Sequence, residues 1–173
     1  MMLARHSCLL ASSVRLGISY VTQLSTCAPS PRNAATSARL AAAEICNAAL
    51  AKAIEQCVDG AVISKVCQAS DDFITEETGK MWKKQKGLVK GIAFPTCVSV
   101  NHIIGHFSPL PEETAAIKTG DVVKVDLGVQ FDGYAAFAAH TIVVGAGAPG
   151  AAPVDGAKAD VILAAQQASA LAA

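Results

Sequence analysis

From Ala38 onward, apolar residues return every three or four positions. Leu40, Ile45, Ala49, Ala53 and Ile54 fall on one face of a helix, and Asp59-Gly60 stops it. A second helix is predicted over residues 63–86, with Val66, Ala69, Phe73 and Ile74 turned inward and Asp71, Asp72, Glu76 and Glu77 turned to water. The two helices close as a hairpin. The period then drops to two: Ile92-Ala93-Phe94, interrupted by Pro95, then Val98-Ser99-Val100 and residues 103–107 read as short strands. Residues 122–129 and 134–144 flank Asp132-Gly133, a pair that accepts the positive φ angles of a tight hairpin turn. Asp155 is placed to cap a last helix from near Ala157 to the end, with Val161, Ile162 and Leu163 on its apolar side. This order predicts an α+β fold, a helical hairpin packed on a mostly antiparallel sheet.

The first 37 residues are different material. Residues 1–43 hold Arg5, Arg15, Arg32 and Arg39 and no acid, and a Pro29-Ser30-Pro31 break closes the Ser- and Thr-rich stretch. Such a composition suits a targeting leader, and a disordered extension or translated upstream sequence would look the same. The expected division is therefore a leader over 1–37 and a folded domain over 38–173. The whole chain balances 14 basic against 14 acidic side chains, so net charge points to no partner. Its 6 cysteines form no CxxC pair and no quartet with histidine, which predicts buried free thiols rather than a zinc or redox site. The uncharged run from Gly133 to Val154 is no membrane span, because its glycines and prolines break any helix.

Eight segments then carry a resemblance. They are Glu76-Glu77-Thr78-Gly79-Lys80, Gly91-Ile92-Ala93-Phe94-Pro95-Thr96, Ser99-Val100-Asn101, His106-Phe107-Ser108-Pro109-Leu110, Lys124-Val125-Asp126-Leu127-Gly128-Val129, Asp132-Gly133, Ala139-His140-Thr141 and Lys158-Ala159-Asp160-Val161-Ile162. In this order they resemble the proliferation-associated, ErbB-receptor-binding family, within the methionine-aminopeptidase (peptidase M24) superfamily. The resemblance implies the amino-terminal half of a pita-bread fold, whose two similar αβ halves surround a central site.

In the active members of that superfamily, two cations roughly 3.5 to 4 Å apart need bridging carboxylates to offset their repulsion while they activate water. The resemblance assigns Asp126 to the first metal ligand. It puts the second 11 positions later, where Phe137 stands, and a phenyl ring donates no lone pair. His106 matches a histidine that faces substrate in active relatives. His106, Asp126 and Phe137 are thus expected to form a vestigial active site with no metal and no other cofactor. As a structural residue, Asp126 would accept backbone hydrogen bonds or pair with Lys124 or His106. His102 and His106, placed on one side of a strand, make a poor metal pair, and His140 is expected in the core or at its rim.

Binding then remains. Lys80, Lys83, Lys84, Lys86 and Lys90 lie within 11 positions without an acid, with Lys80, Lys83 and Lys84 on one helix face and Trp82 available to stack. The resemblance implies association with ribosomes or structured RNA and a role in growth control in cytoplasm and nucleus or nucleolus; protein partners fit as well. A transit peptide would instead direct the chain to an organelle. Two other readings stay open: a methionine aminopeptidase, and a truncated product without independent function.

Overall fold

The computed structural model describes residues 18–21, 33–146 and 153–172. Helix α1 runs Asn33–Gln56 and α2 runs Ile63–Lys80. Strands β1 (Ile18–Val21), β2 (Lys90–Val100), β3 (Val122–Phe131) and β4 (Tyr134–Val143) form one antiparallel sheet in the order β1-β4-β3-β2, and helix α3 (Gly156–Ala172) follows. Among the described residues, no helix is long and apolar enough to cross a membrane. Strand β1 and the first turn of α1 lie within the stretch expected to be a leader; the rest of that stretch falls outside the described residues.

Alanine dominates α1, and alanine is both the best helix former and the smallest side chain that can face a sheet. Ala42, Ala49 and Ala53 are completely buried, with Cys46 and Leu50 beside them. This face meets β3 and β4, while α2 covers β2. Leu40, expected inward, is 56% exposed. It sits two residues from both Ala38 and Ala42, about 200° around the helix from the buried line. Small residues, not the large Leu40, mark the inner face.

Helix α2 ends six residues early. Met81 turns extended, its N–H donates to Thr78 O, and Trp82 takes a φ of 42°, so residues 81–89 form turns in place of the predicted helix. Strand β2, in contrast, runs through Pro95. Its register against β3 slips between Ile92 and Phe94 and again between Phe94 and Cys97, and these irregularities on an edge strand accommodate a residue without an N–H. Residues 103–107, expected as a strand, are loop. Asn101 and His106 adopt φ of 51° and 59°, and the loop meets β2 where Val98 N–H donates to Phe107 O at 2.8 Å.

The β3–β4 hairpin is the predicted one, with Asp132 (φ 53°) and Gly133 (φ 81°) between Phe131 and Tyr134. Alternation sorts its two faces. Val123, Val125, Leu127, Val129 and Phe131 are fully buried toward the helices. Lys124, Asp126, Gly128 and Gln130 point the other way. Of the predicted apolar side of α3, Ile162 is buried while Val161 and Leu163 stay exposed. Cys46, Cys57, Cys67 and Cys97 are buried free thiols, as expected. Burial pushes Cys46 and Cys57 up to about 11 and Cys67 up to about 12.

Candidate functional site

The side of β3 away from α1 and α2 carries the chemistry. Asp126 stands in mid-strand, opposite Cys97 of β2 and Ala139 of β4. It opens onto a cleft of about 620 Å³ lined by Phe94, Pro95, Cys97, His106, Ser108, Asp126 and Phe137. The three residues of the expected vestigial site therefore share one cavity, although they come from β3, β4 and the loop after β2.

Burial raises the Asp126 pKa above the usual carboxylate value, and His106 opposes that shift only in part. Lys124, a partner considered for Asp126, is turned away: its ammonium donates to Asn101 O at 2.8 Å, and burial lowers its pKa. The Cys97 thiol donates to Pro95 O at 3.2 Å, and burial, reinforced by Asp126 and Asp71, keeps it protonated.

Phe137 lies opposite Gly128 and is half exposed. Its ring stacks obliquely on Phe94, with centroids 5.7 Å apart and planes at 35°. Gly128 makes this arrangement possible, since a Cβ there would stand 2.7 Å from Phe137 Cδ1 and 2.8 Å from Phe94 Cε1. Two rings thus lie over the strand beside the carboxylate. These donors do not fit a pair of cations: Asp126 is one carboxylate, and its neighbour across the hairpin is a hydrocarbon surface. Among the described residues, no group of three or more His, Cys, Asp or Glu side chains is brought together to hold a metal ion.

The remaining histidines part company. His102 lines a separate cleft with Ile104, Lys124 and Val161, so the expected His102–His106 strand pair does not form. His140 lies buried on the side of α1 opposite Val125, its Nδ1 lacks a hydrogen-bond partner among the described residues, and burial lowers its pKa. It is a neutral core histidine.

The basic segment is smaller than its sequence implies. Lys80 pairs with Glu76 at 2.9 Å and Glu77 at 2.7 Å, and Lys90 donates to Met81 O. Because α2 stops at Lys80, the expected helical face of Lys80, Lys83 and Lys84 does not exist. Lys83, Lys84 and Lys86 sit exposed on the turns that follow. Trp82 is packed, edge-on to Phe131 at 4.8 Å and 80°. Sequence reasoning missed Phe94, Cys97 and Gly128 as builders of the cleft. For Gly128 a signal existed, two positions from Asp126 on the same strand face; for the others, register across Pro95 had to be known.

Comparison with known proteins agrees with this architecture. Residues 37–173 match metallopeptidase family M24. The chain is 55% identical to proliferation-associated protein A of Dictyostelium discoideum over 105 residues, 61% of this chain and 27% of that protein. It is 44% identical to ERBB-3 binding protein 1 of Arabidopsis thaliana over 129 residues, 74% of this chain and 32% of that one. The matched part thus spans about a third or less of these relatives. Among solved structures, a thermophilic Arx1 superposes with a TM-score of 0.69 at 34% identity, covering 79% of this chain and 37% of that one.

Proposed function

Because the chain belongs to metallopeptidase family M24 and carries a phenyl ring at Phe137 where that resemblance requires the second bridging carboxylate, we propose that it is a non-catalytic, binding member of the family. The observation that carries this reading is the Phe94–Phe137 stack over Gly128, which fills with hydrocarbon the place a second donor would need. His106 and Asp126 then remain as a vestige of the site. Asp126 alone cannot bridge and neutralise two cations. The relatives named for proliferation and receptor binding support the same direction.

The decisive measurement is release of amino-terminal methionine from a short peptide in the presence of cobalt or manganese. No turnover is expected, and metal analysis of the purified chain is expected to find less than one divalent ion per molecule. Turnover abolished by a chelator would reverse the assignment, and would favour the peptidase reading suggested by a fission-yeast relative named a probable metalloprotease.

The partner class we assign is structured RNA, as on the ribosome, which places the protein's work in cytoplasm and nucleus. Three exposed lysines without an ion pair among the described residues, Lys83, Lys84 and Lys86, support this reading. Cosedimentation with ribosomes at graded salt tests it, and the association should weaken steeply as salt rises.

A further inference from the structure

The lysine turns border a second cavity, of about 210 Å³, whose walls include Trp82, Gln85, Leu88, Phe131, Asp132 and Tyr134. We propose that this cavity holds one unstacked base of single-stranded RNA while Lys83, Lys84 and Lys86 contact the adjoining phosphates; the proposal rests on the RNA reading above and gives it a location.

Five observations carry it. The cavity and the lysines belong to one segment: Lys83 and Lys84 stand between Trp82 and Gln85, two lining residues, so a strand neutralised by the lysines passes the cavity mouth. The walls combine the partly exposed rings of Trp82 and Tyr134 with an amide and a carboxylate, the mixture that takes a planar heterocycle by its faces and its polar edge. Asp132 accepts from base N–H groups, and Gln85 both donates and accepts.

The walls are also set in advance. Gln85 N–H donates to Trp82 O at 3.0 Å, Asp132 N–H donates to Val89 O at 2.6 Å, and Phe131 holds the Trp82 ring edge-on. Finally, Trp82 has a φ of 42°, a backbone state a bulky residue rarely adopts, and strained positions gather at ligand sites. Tyr134 is 39% exposed, which leaves part of its ring within reach of a planar partner, although the Arg39 guanidinium lies over it 5.9 Å from the centroid.

Trp82 is the chain's 1 tryptophan, so its fluorescence reports this cavity alone. The full chain is titrated with a short single-stranded oligoribonucleotide, and separately with an abasic oligomer of equal length and charge. The intact strand should quench Trp82 emission, and the abasic strand should bind about tenfold more weakly without quenching. Tyr134→Ala should weaken only the intact strand. Replacing Lys83, Lys84 and Lys86 by alanine should lower the salt dependence for both, by a slope of about 2. Equal binding of both oligomers without quenching overturns the base cavity and leaves the RNA reading standing. Binding of neither also overturns the base cavity, and the structured-RNA reading is then decided by ribosome cosedimentation alone.

Discussion

A carboxylate in mid-strand beside two phenyl rings is costly, and Asp126 shows that cost as a pKa raised by burial. Its folded value lies above the ordinary 3.8, so the charged form is penalised at neutral pH and the penalty fades as pH falls through the raised value toward 3.8. Asp126→Asn should therefore stabilise the fold at pH 7. The gain should vanish in acid, where the wild-type folded state takes up its proton first. Urea midpoints with unchanged slope, measured across pH, check this. At this scale the sequence was informative where chemistry interrupts a pattern: an acid within a Val- and Leu-rich strand stands out, and so does Phe137 once the hairpin is read. It was silent about Phe94 and Cys97, because two slips of register around Pro95 decide which β2 residues stand beside Asp126 and Gly128.

Between elements, one side chain ties α2 to β2. Asp71 Oδ1 accepts from Thr96 N–H at 3.0 Å and from Thr96 Oγ1 at 2.6 Å, and Thr96 is fully buried. Asp71→Ala leaves two buried donors without this acceptor and should cost about 2 kcal/mol; Asp71→Asn, whose carbonyl still accepts, should cost less. Thermal or urea unfolding of the two variants gives the ranking. Helical periodicity had placed Asp71 outward, and it cannot reveal that a buried threonine from a distant strand waits there. The same limit explains the overlong α2: residues 81–86 suit a helix by composition, yet Trp82 is drawn onto Phe131, and that tertiary contact accompanies the end of the helix. The β3–β4 hairpin was readable because its turn chemistry and alternation are local.

For the molecule as a whole, the two-layer α+β arrangement was readable because the order of periodicities determines it, and the family resemblance set the layers in a known fold. What neither could show was which face α1 and α2 would take: they cover one side of the sheet, while Asp126, Phe94 and Phe137 lie on the other. Among the described residues the sheet also ends at β2, and that border is broken by Pro95 and two shifts of register. A straight, unbroken border of backbone N–H and C=O groups would offer a template to further copies, and a proline amid irregular pairing denies it. Pro95→Val should straighten the border and let molecules join strand to strand, seen as a shortened lag in thioflavin fluorescence at high concentration. The proline that looked like an interruption in the pattern is thus a guard against fibre growth.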